Sequence, residues 1–179
     1  MNKAVFIDRD GTIITEKGYL SSPSGVEILQ GAVEGVRLLK EAGFKIVVVT
    51  NQSGVGRGYF TLEELNTVHQ YVLDYFQKNK ASIDKVYFCP HAPGDNCSCR
   101  KPKPGMIEQA QQALDIDLSR SYMIGDSVED IHLGQGKGVL SILVLTGYGE
   151  DTKTKTTPDF IAKSFLEAAQ WILRNPRTR

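Results

Sequence analysis

The sequence predicts an α/β fold in which a parallel sheet is covered by helices on both faces, giving three layers. Three observations carry that prediction. Short β-rich segments alternate with amphipathic ones along the chain, the pattern of strand–helix–strand units. Several of the β-rich segments are apolar throughout, as strands buried on both faces are. Polar residues gather immediately after those segments, where ligands sit in open α/β sheets. With 179 residues, 41% hydrophobic and 23% charged, the chain suits a single domain spanning residues 1–179 with a sizeable core.

The elements follow in order. Lys3–Asp8 reads as the first strand. Val33–Ala42 places Val33, Val36, Leu38, Leu39 and Ala42 at helical spacing, and Gly43 fits its C-terminal cap. Phe44–Thr50 is the second strand. Thr61–Lys78 opens on Thr61-Leu62-Glu63-Glu64, a capping-box pattern, and continues with Leu65, Val68, Val72, Leu73 and Phe76. His69, mid-helix, reads as a surface or helix-face position. Lys85–Cys89 is the third strand, and Pro104–Leu114 a helix with proline in its first turn. Tyr122–Asp126 and Val139–Thr146 are strands flanking a helix at Glu129–Gly136. Glu150–Pro158 is polar and reads as a surface loop, and Ser164–Arg174 is a last helix whose Phe165, Leu166, Trp171 and Ile172 face the core. The result is a Rossmann-like parallel sheet. The intervals from Asp8 to Thr50 and from Thr50 to Lys101 are filled by these elements, so the fold should be capless, its site open and gated only by loops.

Composition narrows the function. Lys+Arg and Asp+Glu are both 21, so the chain lacks the cationic excess that phosphate backbones select. Its longest apolar runs, Ile46–Val49 and Ile142–Leu145, fall far short of the ~20 residues that span a bilayer. Three cysteines cannot all pair with one another, and the chain opens directly into a strand rather than a secretory leader. The expected compartment is the reducing cytoplasm. Gly54-Val55-Gly56-Arg57-Gly58 is glycine-rich but lacks the Gly-Lys-Ser/Thr ending of a nucleotide loop.

Four strand ends carry unusual chemistry. Asp8 follows the first strand with Asp10 two residues on. An extended segment would put both carboxylates on one side, whereas a loop would turn the Asp10 carbonyl toward the site. Asp126 ends another strand, with Asp130 one helical turn later. Acidic groups at neighbouring strand ends repel one another and persist when a cation holds them; oxygen-only ligands suit Mg²⁺. Thr50 precedes Asn51-Gln52-Ser53, whose hydroxyls and amides suit phosphate oxygens. Arg100-Lys101-Pro102-Lys103 delivers cations just before a helix start, a favourable place for an anion. Read singly, each has a bland alternative: an Asp-Gly turn, a strand-end threonine, a solvated charge run. Read together, they describe phosphoryl transfer through an aspartyl-phosphate.

All three cysteines fall in one loop, Cys89-Pro90-His91 through Cys97-Ser98-Cys99. Three thiolates and one imidazole make a closed tetrahedral Zn²⁺ set, structural because no position is left for water. This zinc loop, residues 89–101, runs directly into Arg100 and Lys101.

Asp8-x-Asp10-Gly11-Thr12, Thr50, Lys101 and Gly125-Asp126-x-x-x-Asp130 resemble, in order, the four motifs of the haloacid dehalogenase superfamily of phosphatases. The resemblance implies that Asp8 is the nucleophile and Asp10 the acid/base. It implies that Thr50 and Lys101 bind the transferring phosphoryl group, and that Asp8, Asp126 and the Asp10 carbonyl hold Mg²⁺. The Cys/His loop and Cys99-Arg100-Lys101-Pro102-x-Pro104-Gly105-Met106 resemble the sugar-bisphosphate branch of the superfamily. There, Glu16, Lys17, Gly18, Tyr19, Thr50, Asn51, Gln52, Ser53, Arg100 and Lys101 would line the substrate site. The implied substrate is a heptose bisphosphate, with histidinol phosphate or another small phosphate ester as the alternative. The expected partner is that small sugar phosphate, with neither nucleic acid nor membrane, and the chain is expected to be monomeric. A receiver domain fits less well, because Phe44–Thr50 and Lys85–Cys89 end without an acceptor aspartate. A phosphatase of DNA ends is disfavoured by the zero net charge.

Overall fold

The computed structural model describes residues 1–177. Its centre is a six-stranded, all-parallel sheet in the order β3-β2-β1-β4-β5-β6. The strands are β1 (Ala4–Ile7), β2 (Lys45–Asn51), β3 (Lys85–Cys89), β4 (Tyr122–Gly125), β5 (Leu140–Val144) and β6 (Phe160–Ala162). The helices are α1 (Ala32–Glu41), α2 (Leu62–Lys78), α3 (Gly105–Leu114), α4 (Val128–Gly136), α5 (Gly149–Thr152) and α6 (Phe165–Arg174). Five strands and five helices lie where the sequence places them, within a residue or two at each end.

The central strands β1, β2 and β4 are largely apolar because each feeds two cores. Val5, Ile7, Ile46, Val48, Ile124 and Ile142 face one layer, where Val36 and Leu39 of α1, Val72 and Phe76 of α2, and Phe165 and Ile172 of α6 are buried. Ala4, Phe6, Val47, Val49 and Met123 face the other, against Met106, Ile107 and Ala110 of α3 and Leu133 of α4. Gly35 lets α1 approach α6: a Cβ there would lie 2.7 Å from the Phe165 ring. The predicted capping box is present, Thr61 Oγ1 accepting from Glu64 N–H while the Glu64 carboxylate accepts from Thr61 N–H. Gly43 adopts φ +82°, the left-handed turn that ends α1.

Two readings need correction, and one strand went unread. Glu150–Pro158 is not wholly a surface loop, because its first residues belong to α5 and Thr152 is buried. Phe160–Ala162 forms a sixth strand at the sheet edge, too short for its period to show in sequence. His69 is buried against Phe88, ring centroids 5.2 Å apart; burial, then the Arg9 charge, pushes its imidazole down to about 3. Among the described residues, no helix is long and apolar enough to cross a membrane. The insertions after β1 and β2 are loops, so the carboxyl ends of the strands stay uncapped. β1, hydrogen-bonded to β2 on one side and β4 on the other, marks the point where the strand order reverses.

Candidate active site

Asp8 stands at the tip of β1, its N–H donating to Ile124 O at 2.9 Å, so the sheet itself fixes its backbone. The chain then turns through Gly11 at φ +78°. That turn and Gly147, at the end of β5, close around Asp126: a Cβ on Gly11 or Gly147 would lie 2.1 or 2.0 Å from Asp126 Oδ2. Only glycine permits this approach. Thr146 Oγ1 donates to Gly11 O at 2.6 Å and ties the two turns together.

Lys101 is the centre of the site. Its Nζ lies 2.8 Å from Asp8 Oδ1, 2.7 Å from Asp130 Oδ1 and 2.9 Å from Val49 O, which accounts for all three ammonium protons. Burial alone would depress the lysine, but Asp130 and Asp8 outweigh it and hold the ammonium above its ordinary value. Asn51 clamps the Lys101 backbone, accepting from its N–H at 3.0 Å and donating to its carbonyl at 3.3 Å. Asp130 is anchored in turn by an N-terminal capping box, its Oδ2 accepting from Ser127 N–H (3.1 Å) and Ser127 Oγ (2.6 Å).

Asp10 is held separately. Arg9, 1% exposed, donates through Nε and Nη2 to its two oxygens at 3.0 and 3.1 Å. Gln52 Nε2 donates to Asp10 Oδ2 (2.8 Å) and to Thr50 Oγ1 (2.9 Å). Burial raises the Asp10 carboxyl above the usual range, Arg9 opposing it and Asp8 adding to it. A carboxyl whose burial favours the protonated form, beside an open cavity, is suited to proton transfer. Thr50 Oγ1 accepts from Gln52, which leaves its own proton for an incoming oxygen.

Asp8, Asp126 and Asp130 place carboxylate oxygens within 4.8 Å of one another. Burial, followed by Asp8 and Asp130, pushes Asp126 up to about 8, and burial pushes Asp130 up to about 6 despite Lys101. That is the like-charge strain a divalent cation relieves. Both Asp130 oxygens are hydrogen-bonded, whereas Asp8 Oδ2 and Asp126 Oδ1 accept no hydrogen bond from the described residues. A hard cation therefore fits at Asp8 and Asp126, with Asp130 as anchor to Lys101. The Asp10 side chain lies outside this cluster, held by Arg9 and Gln52.

Cys89, His91, Cys97 and Cys99 also converge, their ligand atoms within 4.8 Å of one another. Cys89 Sγ lies 3.6 Å from both Cys97 Sγ and His91 Nδ1, and His91 Nδ1 lies 3.3 Å from Cys99 Sγ. Tetrahedral zinc with bonds of about 2.0–2.3 Å has ligand–ligand edges of roughly 3.3–3.8 Å, so the four fit that ion. Burial raises Cys89 to about 12; on Cys97 the Arg100 N–H and the neighbouring thiols outweigh burial and bring it to about 7. The loop is tied to its surroundings by Gly56 N–H to Pro90 O (2.8 Å) and Gly105 N–H to Ser98 O (3.2 Å).

Asp8, Asp10 and Lys101 floor a cavity of about 120 Å³. The 16–19 and 50–53 segments also line it, through Glu16, Gly18, Tyr19, Thr50, Asn51, Gln52 and Ser53. Two expected residues lie elsewhere. Lys17 turns outward to Glu27 (2.5 Å). Arg100 lines a neighbouring cavity of about 340 Å³ that shares Lys101 with the first; its Nη1 is buried without a partner. The side chains of Asn51 and Gln52 brace Lys101, Asp10 and Thr50 as well as lining the wall. Sequence reasoning passed over Arg9, the Ser127–Asp130 capping box and Tyr148, whose N–H donates to Asp126 Oδ2 at 2.8 Å. An arginine between two acids and a Ser-x-x-Asp before a helix were the available signals.

Comparison with known proteins agrees with this geometry. A HAD-hydrolase-like family profile matches residues 98–168. The D-glycero-beta-D-manno-heptose-1,7-bisphosphate 7-phosphatase of Helicobacter pylori strain J99 is 40% identical, over 96% of this chain and 97% of its own length. Its counterpart in Escherichia coli K12 is 35% identical, over 97% and 95%. A crystal structure of D,D-heptose 1,7-bisphosphate phosphatase from B. bronchiseptica, complexed with magnesium and phosphate, superposes with a TM-score of 0.91 at 30% identity, covering 97% of this chain and 99% of that one. Identity at this level across essentially the whole length settles kinship as well as fold: the chain belongs to the D-glycero-beta-D-manno-heptose-1,7-bisphosphate 7-phosphatase family of haloacid dehalogenase-like phosphatases.

Proposed function

We propose that this phosphatase removes the 7-phosphate of D-glycero-β-D-manno-heptose 1,7-bisphosphate through an aspartyl-phosphate on Asp8. The observation that carries the reading is Asp8 bridged to buried Lys101 on the floor of an open polar cavity, with Asp10 beside it. An Asp8 carboxylate oxygen attacks phosphorus while Asp10 gives its proton to the departing sugar oxygen. Asp10 then takes a proton from the water that attacks the aspartyl-phosphate, releasing phosphate and restoring Asp8. The Thr50 hydroxyl and the Lys101 ammonium hold the phosphoryl oxygens as negative charge builds on them. Mg²⁺ would be held by Asp8, Asp126 and the Asp10 carbonyl, and would supply charge neutralisation for the phosphoryl group. Zn²⁺ would be held by Cys89, His91, Cys97 and Cys99 and would stiffen the loop that presents Arg100 and Lys101. Arg100, which lines the adjoining cavity, binds the phosphate that is not cleaved. The enzyme works as a cytoplasmic monomer on a small sugar phosphate.

Phosphate release across a panel tests this: heptose 1,7-bisphosphate, fructose 1,6-bisphosphate and histidinol phosphate. The expected kcat/KM for the heptose exceeds the others by at least ~10-fold, the discrimination that a lost charged contact supports. Preference for histidinol phosphate or for the hexose would overturn the substrate.

A further inference from the structure

One wall of the active-site cavity is weakly built. Among the described residues, no backbone–backbone hydrogen bond ties residues 16–20. Gly18, at φ +74°, stands in open space, its N–H donating to the Glu16 carboxylate. Yet Glu16, Gly18 and Tyr19 line the cavity. The neighbouring turn, residues 53–59, is rigid by comparison. Arg57 N–H donates to Ser53 O (3.0 Å), Tyr59 N–H to Gly54 O (2.8 Å), and Gly56 N–H to Pro90 O of the Cys/His loop (2.8 Å). Phe60 anchors it from below, so close that a Cβ on Gly54 would lie 2.2 Å from the Phe60 ring. From this turn Tyr59 projects outward, 58% exposed, and meets Tyr19, 49% exposed, edge to face with ring centroids 4.5 Å apart and planes at 77°.

We propose that Tyr59, which does not itself line the cavity, is a positioning residue: its ring is a fixed post that holds Tyr19, and with it residues 16–19, over the sugar end of the substrate. In a capless fold this aromatic clasp does part of the work of a cap, joining two loops that both contribute lining to the cavity. Edge-to-face pairs are favourable beyond their buried area, and a bound sugar gains from a wall already in place. The phosphoryl end sits on Asp8, Lys101 and Thr50, which the clasp does not touch. Tyr59 therefore acts on recognition of the sugar more than on chemistry. The inference rests on the sugar-phosphate reading above.

The test compares Tyr59→Ala with Tyr59→Phe, which keeps the ring. With heptose bisphosphate, Tyr59→Ala is expected to raise KM roughly 3–10-fold while kcat changes less. KM for p-nitrophenyl phosphate, which has no sugar, shifts less than KM for the sugar, and Tyr59→Phe restores wild-type behaviour. Amide hydrogen exchange supplies a readout that needs no substrate: residues 16–20 exchange faster in Tyr59→Ala and at the wild-type rate in Tyr59→Phe. Unchanged exchange in Tyr59→Ala, or equal loss in both variants, overturns the clasp. If wild-type enzyme shows no preference for the sugar bisphosphate, the substrate reading fails by itself, and the exchange result still decides whether Tyr59 positions the loop.

Discussion

Replacing Lys101 by methionine keeps an unbranched side chain one atom shorter and removes its charge and donors. Three acceptors lose the ammonium at once: Asp8 Oδ1, Asp130 Oδ1 and Val49 O, all within 2.9 Å of Nζ. Lys101 and Asp130 have side chains 2% and 0% exposed, so water does not step in. Removing one member of a buried ion pair costs about 3–5 kcal/mol, because the remaining charge stays buried and uncompensated. For a chain of this size that corresponds to a fall in Tm of roughly 6–20 °C. The signature is its pH dependence. Asp130 and Asp126 already sit at about 6 and about 8 with the lysine in place, and without it both rise further. A carboxylate raised on folding adds stability below its unfolded pKa and loses it as pH climbs through the folded value. The variant should therefore lie close to wild type at pH 5 and far below it at pH 8. Urea denaturation of both proteins at the two pH values, without added Mg²⁺, measures this. A difference under about 1 kcal/mol at pH 8, well below the range for a broken buried pair, or the same difference at both pH values, would refute the role of Lys101 as counter-charge to the acidic cluster.

Three more predictions follow from the same geometry. Asp8→Asn should abolish phosphate release while leaving the melting curve cooperative, since the amide nearly preserves volume but is no anionic nucleophile; measurable turnover by the purified variant would exclude Asp8 as the attacking group. Metal-free enzyme should lose stability as pH rises from about 4 toward 8, Asp126 being raised to about 8 by burial and its acidic neighbours, and added Mg²⁺ should stabilise it most at the alkaline end. Melts in chelator-free buffer check this, a Mg²⁺ effect independent of pH being the contrary result. Elemental analysis should find about one zinc per chain, the capacity of one four-ligand site, and Cys97→Ser should lower both zinc content and Tm; a zinc-free protein with unchanged stability would remove the ion from the account.

The central strands were legible because β1, β2 and β4 each feed two cores and are largely apolar; Ile46–Val49 could belong only to the interior. β6 was not, because Phe160–Ala162 spans three residues at an edge and leaves Ile161 exposed. His69 could have been placed correctly: it lies four residues after Leu65 and three before Val72 on the buried stripe of α2, and its polarity outweighed its spacing. In the site, spacing identified which acids and cations meet. It did not identify their supports. Arg9 read as the spacer in Asp8-x-Asp10, yet it is the buried partner that orients Asp10. Asp130 read as a fourth acid of the motif, and the structure makes it the anchor of Lys101. Arg9 sits next to Asp10, but the pairings of Lys101 with Asp130 and of Gln52 with Asp10 join residues 29 and 42 apart, and no local pattern encodes those.

Phosphorus NMR of a reaction with D-glycero-β-D-manno-heptose 1,7-bisphosphate tests the account most directly, because it reads which ester is cleaved as well as whether one is. The account predicts that the 7-phosphate signal gives way to inorganic phosphate, that the 1-phosphate signal persists, and that Asp8→Asn enzyme leaves both untouched. Loss of the 1-phosphate, or no change with active enzyme and Mg²⁺ present, would contradict it.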